Sequence, residues 1–382
     1  MSTTPLNPEF DAIRPYNNDE IPEAMQRIAD AHEVGNIVSF LFPEFKLTEV
    51  RDLIRSIETT EEFQKLLAIK SVQKIVTQTT KGVTVEGFEN IDTTKNHIFV
   101  MNHRDIALDS SLFQIALMDH GFKTTEVCVG DNLMPTQFFV DIWRANKMVK
   151  VLRGASIREA LHNSLVFSKY LRHAITDKHE SIWIAQRNGR TKDGIDVTDP
   201  ALIKMFAMSA TGDVLSSIAE LNIIPVAISY QIEPCDWMKT RELFLSKDAP
   251  YQKAPNEDFQ SILTGIMQRK GKVHISIGKP INPKLDTCKD LPNHKIFKGI
   301  ARLIDDEIIN NYKLFDTNYI AYDLLNRTDT YASHYTTDAK EQFVINMNEK
   351  IAQIGLKFYP ELCKVFFSIY ANPVFSKISK NQ

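Results

Sequence analysis

The sequence lacks an apolar run long enough to cross a bilayer. A membrane-spanning helix needs about 20 consecutive apolar residues, and the longest apolar stretches here, such as IIPVAISY, have the length of a buried strand. The N-terminus also lacks a basic start followed by an apolar segment, so it does not have the pattern of a signal peptide. We therefore expect a protein that lies in solution or on a membrane surface.

The sequence is also poor in cysteine and carries no excess of positive charge. Its 4 cysteines are far apart and form no CxxC pair, which argues against a disulfide framework or a zinc site. The formal net charge of -3 lacks the broad positive field that is typical of nucleic-acid-binding proteins. We therefore expect a reducing compartment, with no bound metal, no cofactor and no nucleic-acid partner.

Apolar residues recur with helical or strand periodicity along most of the chain. Residues 1–80 predict a helical segment that is nearly free of glycine. Residues 81–295 predict short apolar strands that alternate with helices, and residues 296–382 predict a second helical segment. The alternation indicates a mostly parallel sheet covered by helices. The sequence thus predicts an α/β domain with helical N- and C-terminal segments.

Polar clusters follow three of the predicted strands at the points where the strands end. His103 comes after HIFVM, Arg153 comes after MVKVL, and the loop RNGRTKDG begins after SIWIA. Parallel sheets place their functional sites at the carboxyl ends of the strands. We therefore expect these clusters to lie at one edge of the sheet.

The stretch IFVMNHRDIALDSS, residues 98–111, places His103 where a strand meets a helix. A histidine acts as a base on a substrate hydroxyl when a carboxylate accepts a hydrogen bond from its other ring nitrogen. Six positions turn a helix through about 600°, so a pair with Asp109 requires His103 to lie outside the helix. Asp105 can cap the helix instead. The residues alone leave both Asp109 and Asp105 open as the partner of His103.

The stretch at Asn102 and His103 resembles the pattern N-H-x-x-x-x-D, which follows an apolar strand in other proteins. That pattern is the first sequence block of the glycerolipid acyltransferase family, which makes phosphatidic acid from lysophosphatidic acid. In this chain the spacing is one residue longer, because position 108 is leucine and Asp109 is the next carboxylate. The resemblance implies that His103 is the base and that Asp109 is its partner.

Three later stretches resemble further blocks of the same family, in the same order over residues 98–230. MVKVLRGAS is similar to the second block and carries over Arg153, and NIIPVAISY is similar to the fourth. QRNGRTKDG resembles the third block, P-E-G-T-R-S-R-D-G, with Arg187 in place of the glutamate. HRDIALD together with QRNGRTKDG is similar to a bacterial subgroup of these enzymes.

The resemblance implies an O-acyltransferase of glycerolipid synthesis. It would move a fatty acyl group from acyl-CoA or acyl carrier protein to the hydroxyl of a glycerol phosphate or lysophospholipid. The reaction would take place in the cytoplasm, peripherally on the inner face of the cytoplasmic membrane. Since no serine or cysteine has a fitting partner, we expect direct attack by the acceptor. The expected substrate-binding residues are Asn102, Arg153, Arg187, Asn188, Gly189, Arg190 and Lys192.

Two alternatives remain open. The acceptor can be a different lipid such as an amino-lipid, or the protein can be a catalytically silent membrane-surface binding protein that kept the fold. The longer spacing of the first block and the missing glutamate support the second alternative. We also expect Arg104 to be a surface or helix charge. The stretch MPTQFFVDIW predicts an amphipathic helix that packs on the sheet or borders an acyl-chain channel.

Overall fold

The computed structural model describes residues 7–380. Helices precede the sheet in sequence, as their apolar periodicity predicts. Thr59 caps the fourth of them, because its side chain accepts a hydrogen bond from the backbone N–H of Glu62. A π-helical segment, Gln64–Ala68, joins the last two. The helices before the sheet are α1 (Ile21–Asp30), α2 (Glu33–Leu41), α3 (Leu47–Arg55), α4 (Thr60–Phe63) and α5 (Ile69–Thr79).

The described strands form one seven-stranded sheet with the order β1-β7-β6-β2-β5-β3-β4. All neighbouring strands are parallel except β6 and β7, which are antiparallel. The prediction of a mostly parallel sheet is therefore confirmed. The strands are β1 (Thr80–Glu86), β2 (Ile98–Met101), β3 (Glu126–Gly130), β4 (Met148–Val151), β5 (Ile182–Ala185), β6 (Ile224–Tyr230) and β7 (Gly271–Ile277).

Helices cover both faces of the sheet. In β2, Ile98 and Val100 join one apolar cluster, whereas Phe99 and Met101 join a second cluster on the opposite face. This division follows from the alternation of side chains along a strand. The helices between the strands are α6 (Leu108–Asp119), α7 (Gln137–Ala145), α8 (Ile157–Thr176), α9 (Pro200–Ala207), α10 (Val214–Ala219), α11 (Asp236–Leu245) and α12 (Glu257–Met267).

Four helices follow the sheet in the described part of the chain: α13 (Asn293–Asn311), α14 (Asp316–Asn326), α15 (Thr337–Ile354) and α16 (Tyr359–Lys380). The last three share an apolar cluster with residues of α11. Helix α16 continues through Pro373. The predicted division at residues 80 and 295 stays a prediction. Within residues 7–380, no helix has both the length and the apolar character needed to cross a membrane.

The strand order brings the polar clusters of the sequence together. Strands β2, β5, β3 and β4 are consecutive neighbours and all run parallel. Met101 at the end of β2 pairs with Ala185 at the end of β5. The loops after these strands therefore leave the sheet at the same edge, which is where parallel sheets place their functional sites.

Candidate active site

His103 lies in the loop between β2 and α6, one residue beyond the buried Asn102. Asp109 is in the first turn of α6, and its Oδ2 lies 2.9 Å from Nδ1 of His103. The His103 side chain is 14% exposed and that of Asp109 is 0% exposed. Because Nδ1 faces Asp109, Nε2 is the ring nitrogen that remains for a substrate proton.

The Asp109 carboxylate is held by four hydrogen-bond donors. Oδ2 accepts the bond from His103 and also accepts the backbone N–H groups of Arg104 (2.5 Å) and Asp105 (2.9 Å). Oδ1 accepts the hydroxyl of Tyr230 at 2.7 Å. Burial, followed by the nearby charge of Asp109, raises the pKa of Tyr230 well above its usual range. The hydroxyl therefore remains a donor, and the buried carboxylate is satisfied and fixed in orientation.

Asp105 has a different role from Asp109. Its Oδ1 accepts the backbone N–H groups of Ala107 and Leu108, both at 2.9 Å, so it caps the start of α6. It makes no hydrogen bond with His103 in the described structure. Burial, followed by the charge of Asp109, raises the pKa of Asp105 above its usual value. Of the two carboxylates considered from the sequence, the structure brings Asp109 to the histidine.

Arg104 is neither a surface charge nor a helix charge, and that prediction is wrong. Its side chain is 0% exposed, with Nη2 2.6 Å from Asp196 Oδ2 and Nη1 3.2 Å from Glu233 Oε2. Burial acts to lower the pKa of Arg104, but the negative charges of Asp196 and Glu233 raise it well above its usual value. The buried ion cluster holds the backbone on the C-terminal side of His103.

Asn102 is buried and its amide bonds only to protein groups. Its Nδ2 donates to Asp196 Oδ2 and to the Ile228 carbonyl, both at 3.0 Å, and its Oδ1 accepts the Ile228 N–H at 2.7 Å. These bonds connect the end of β2 to β6. The structure therefore places Asn102 beneath the site rather than among the residues that could touch a substrate.

A cavity of about 390 Å³ opens at the carboxyl ends of β2, β5, β3 and β4, with His103 in its wall. This volume lies within the range of small-molecule sites. Apart from Asn102, all of the substrate-binding residues expected from the sequence line the same cavity. They are Arg153, Arg187, Asn188, Gly189, Arg190 and Lys192.

Three guanidinium groups of this cavity form no ion pair with a carboxylate within residues 7–380. Arg153 donates from Nη2 to Asn188 Oδ1 at 3.3 Å, and its side chain is exposed together with that of Arg187. Nη1 of Arg190 is buried without a hydrogen-bond partner. An unpaired buried N–H group costs free energy. The three arginines are therefore suited to an anionic ligand.

The two lysines of the cavity are already paired. Lys192 contacts Glu242 of α11, and Lys253 Nζ lies 2.5 Å from Asp258 Oδ1. Asp258 also accepts a hydrogen bond from the Asn132 side chain at 3.1 Å, which connects α12 to the loop after β3. The predicted role of Lys192 in substrate binding thus requires it to leave Glu242.

The loop formed by residues 187–194, here called the arginine loop, is attached to β2 and to the loop that contains His103. The N–H of Gln186, just before the loop, donates to the Met101 carbonyl at 2.8 Å. Within the loop, the N–H of Thr191 donates to the His103 carbonyl at 2.7 Å. These backbone bonds fix the position of the arginines relative to His103.

Apolar side chains form the rest of the cavity wall and can accommodate hydrocarbon. They come from the strands and from α8 and α9, not from the stretch MPTQFFVDIW. Phe138 of that stretch packs with the N-terminal helices, so α7 does not border this cavity. The apolar lining residues include Val127, Val129, Val151, Leu152, Phe167, Trp183, Leu202 and Met205.

Tyr230 is the site residue that the sequence reasoning missed. It is the last residue of the predicted strand NIIPVAISY, and β6 lies beside β2 with the same direction. The signal was therefore a polar side chain at the carboxyl end of a neighbouring strand. Within residues 7–380, no group of three histidine, cysteine or acidic side chains is arranged to hold a metal ion.

The chain is similar to the solved structure of the 1-acyl-sn-glycerophosphate (LPA) acyltransferase, PlsC, from Thermotoga maritima, with 16% sequence identity and a TM-score of 0.36. The alignment covers 77% of this chain and 95% of that chain. No protein-family model matches the chain, and no curated protein matches it. Because the similarity is this low, the function is inferred below from the residues and geometry of the site.

Proposed function

We propose that this protein is an O-acyltransferase that moves a fatty acyl group from a thioester to the hydroxyl of an anionic, lipid-like acceptor. The donor is acyl-CoA or acyl carrier protein, and the acceptor is a glycerol phosphate or a lysophospholipid. One observation carries the proposal. The His103–Asp109 pair, 2.9 Å apart, lies at a cavity that also contains three arginines without carboxylate partners and an apolar wall.

His103 is proposed as the base and then as the acid. Its Nδ1–H donates to Asp109, so Nε2 accepts the proton of the acceptor hydroxyl. The acceptor oxygen bonds to the thioester carbonyl carbon, the C–S bond breaks, and the leaving sulfur takes the proton from Nε2. Asp109 keeps the neutral ring in the required tautomer and stabilises the imidazolium between the two transfers. The products are an ester and a thiol.

Direct attack by the acceptor agrees with the other nucleophiles in the cavity. Cys128 is buried, and burial followed by the charge of Glu126 raises the pKa of its thiol well above the usual value. It is therefore a poor thiolate. Ser110 and Ser164 also line the cavity, but neither makes a hydrogen bond with His103 in the described structure. No side chain here is activated as a serine or cysteine nucleophile.

Arg153, Arg187 and Arg190 are proposed to bind the acceptor phosphate. A guanidinium group offers paired N–H donors that match phosphate oxygens, and an unpaired one does not have to break an ion pair first. Arg187 stands where the related block has glutamate, so it adds positive charge at this point. This favours an acceptor that carries at least one phosphate over an uncharged acceptor.

The first experiment incubates the purified protein with mixed lysolipids, glycerol phosphate, an amino-lipid and both donor types, and identifies the products by mass spectrometry. We expect one class of acylated product, and we expect His103→Ala to lower the rate by about 10²–10⁴-fold. His173→Ala is the matched control, because His173 also pairs with a carboxylate, Asp177, but does not line the cavity. Undiminished turnover in His103→Ala contradicts the proposed base. No transfer by the wild type favours the silent binding protein.

The proposed place of reaction is the inner surface of the cytoplasmic membrane. Two helices contribute side chains to the cavity and also expose apolar residues. On α8, Ile157 is 91% and Leu161 61% exposed, and on α12, Phe259 is 49% and Met267 60% exposed. Such side chains can insert into a lipid surface while the arginines attract anionic head groups.

A vesicle-binding experiment tests this location. We expect Phe259→Ser with Met267→Ser to weaken co-sedimentation with anionic phospholipid vesicles, because two apolar side chains leave the contact. Ile345→Ser is the matched control, since Ile345 is 48% exposed on α15 and does not line the cavity. Equal binding by all three proteins would show that α12 does not face the lipid.

A further inference from the structure

The C-terminal end of the arginine loop contacts α16, a helix outside the region that resembles the acyltransferase blocks. The Asn372 side chain donates from Nδ2 to the Asp193 carbonyl at 2.7 Å. Gly194 has a φ of +82°, and the position that a Cβ would occupy there lies 2.1 Å from the Ile369 carbonyl oxygen. Only glycine therefore permits this approach of the loop to the helix.

Pro373 explains why the Ile369 carbonyl is available for this contact. In an α-helix the N–H of one residue bonds to the carbonyl four residues earlier. Pro373 has no N–H, so the Ile369 carbonyl lacks the donor that it would normally have four residues later in the helix. The same carbonyl faces the Gly194 Cα, where a weak C–H···O interaction can form.

Tyr370, on the same turn of α16, reaches the other side of the site. Its hydroxyl accepts the Glu233 N–H at 3.0 Å and donates to Asp236 Oδ2 at 2.7 Å. Glu233 pairs with Arg104, which directly follows His103 in the chain. Residues 369–373 thus contact the arginine loop directly. They also connect to the loop that contains His103 and Arg104, through Tyr370 and Glu233.

We propose that residues 369–373 of α16 are a positioning element for substrate binding, with Asn372 and Pro373 as positioning residues. The bond from Thr191 to His103 fixes the middle of the arginine loop, and α16 fixes its C-terminal end. A loop that is held before the ligand arrives loses less conformational entropy on binding. The role of this loop in acceptor binding rests on the proposed function, whereas its attachment to α16 does not.

The test compares Asn372→Ala with Ser368→Ala. Ser368 is also on α16, and its hydroxyl bonds only to the Lys364 carbonyl of its own helix. The loss of one hydrogen bond corresponds to about a threefold to tenfold change in an equilibrium. We expect that increase in the hydrogen-exchange rate of residues 187–194 and in the acceptor KM of Asn372→Ala. The kcat at saturating acceptor should change less than the KM.

Pro373→Ala provides a readout that a merely structural residue would not give. The new N–H can bond to the Ile369 carbonyl, so the helix gains a hydrogen bond. Gly194 then shares that carbonyl and loses the proline ring, whose Cδ lies 3.2 Å from the position that a Cβ would occupy there. We expect an unchanged or higher melting temperature together with faster exchange of residues 187–194. A general loss of stability would instead lower the melting temperature and raise exchange throughout the protein.

The inference is overturned if loop exchange in both variants equals that of Ser368→Ala. It is also overturned if exchange increases throughout the chain rather than in the loop. Hydrogen exchange requires no turnover, so it decides the question even if the wild type transfers no acyl group. In that case the proposed function fails and the positioning element stands or falls separately.

Discussion

Replacing Asp109 by asparagine separates the charge of this side chain from its position. Oδ2 accepts two backbone N–H groups, from Arg104 and Asp105. In asparagine, an NH₂ group at the position of Oδ2 would face these two N–H donors. The amide oxygen must therefore occupy that position. The oxygen then still accepts from Nδ1 of His103, and the ring keeps its tautomer. The Tyr230 hydroxyl can rotate to accept from the new NH₂ group.

The substitution therefore removes the negative charge and leaves the geometry intact. A hydrogen bond to a charged group contributes about 1–2 kcal/mol more than one between neutral groups. The imidazolium that forms during the reaction loses this stabilisation, because Asp109 is its buried partner. We expect kcat to fall about 5- to 30-fold, following about 1.4 kcal/mol for each factor of ten. This is less than expected when the tautomer is lost as well.

The measurement is kcat at saturating donor and acceptor, with thermal unfolding to verify the fold. Asp105→Asn is the matched control, because an asparagine oxygen retains the cap on Ala107 and Leu108 and no contact with His103 is lost. We expect its kcat to stay within about threefold of the wild type. Wild-type kcat in Asp109→Asn, or a larger loss in Asp105→Asn, would refute the assignment of Asp109 as the partner.

Two further predictions concern stability. Arg104→Met should lower the free energy of unfolding in urea by about 3–5 kcal/mol, because Asp196 loses its buried cation and Glu233 keeps only Lys239. An unchanged unfolding midpoint would contradict the ion cluster. Burial raises the pKa of Asp305 from 3.8 to about 6. The folded state is therefore most stable relative to the unfolded state below pH 3.8, and this stability is lost as the pH rises through about 6. Asp305→Asn should therefore raise the free energy of unfolding by about 3 kcal/mol at pH 8 and much less at pH 4, whereas an equal gain at both pH values would exclude this cause.

The architecture could be predicted because local periodicity specifies it. Each strand at the site is a short apolar run that ends at a polar cluster, and alternation of strands with helices requires parallel neighbours. From these two facts it follows that His103, Arg153 and Arg187 share one edge of the sheet. The antiparallel pairing of β7 with β6 was not predicted, because the direction of a strand depends on a connection that leaves no local pattern.

Arg104 shows why the rest of the site could not be predicted. Its carboxylate partners Asp196 and Glu233 are 92 and 129 residues away in sequence. An arginine among polar residues after a strand has the same local pattern whether it is exposed or buried, and burial is decided by distant side chains. Asn102 is a similar case, because its bonds to β6 depend on the sheet order.

The longer spacing between His103 and Asp109 is accommodated by the backbone. Oδ2 of Asp109 receives the N–H groups of residues 104 and 105, while Asp105 caps α6 from inside the same loop. The loop is therefore closed around the carboxylate by hydrogen bonds, and their geometry, rather than the number of intervening residues, brings the ring to 2.9 Å. The departure at the first block therefore does not weigh against a histidine–carboxylate pair. The departure at Arg187 lies at the cavity itself, so under the proposed function it bears on which acceptor binds.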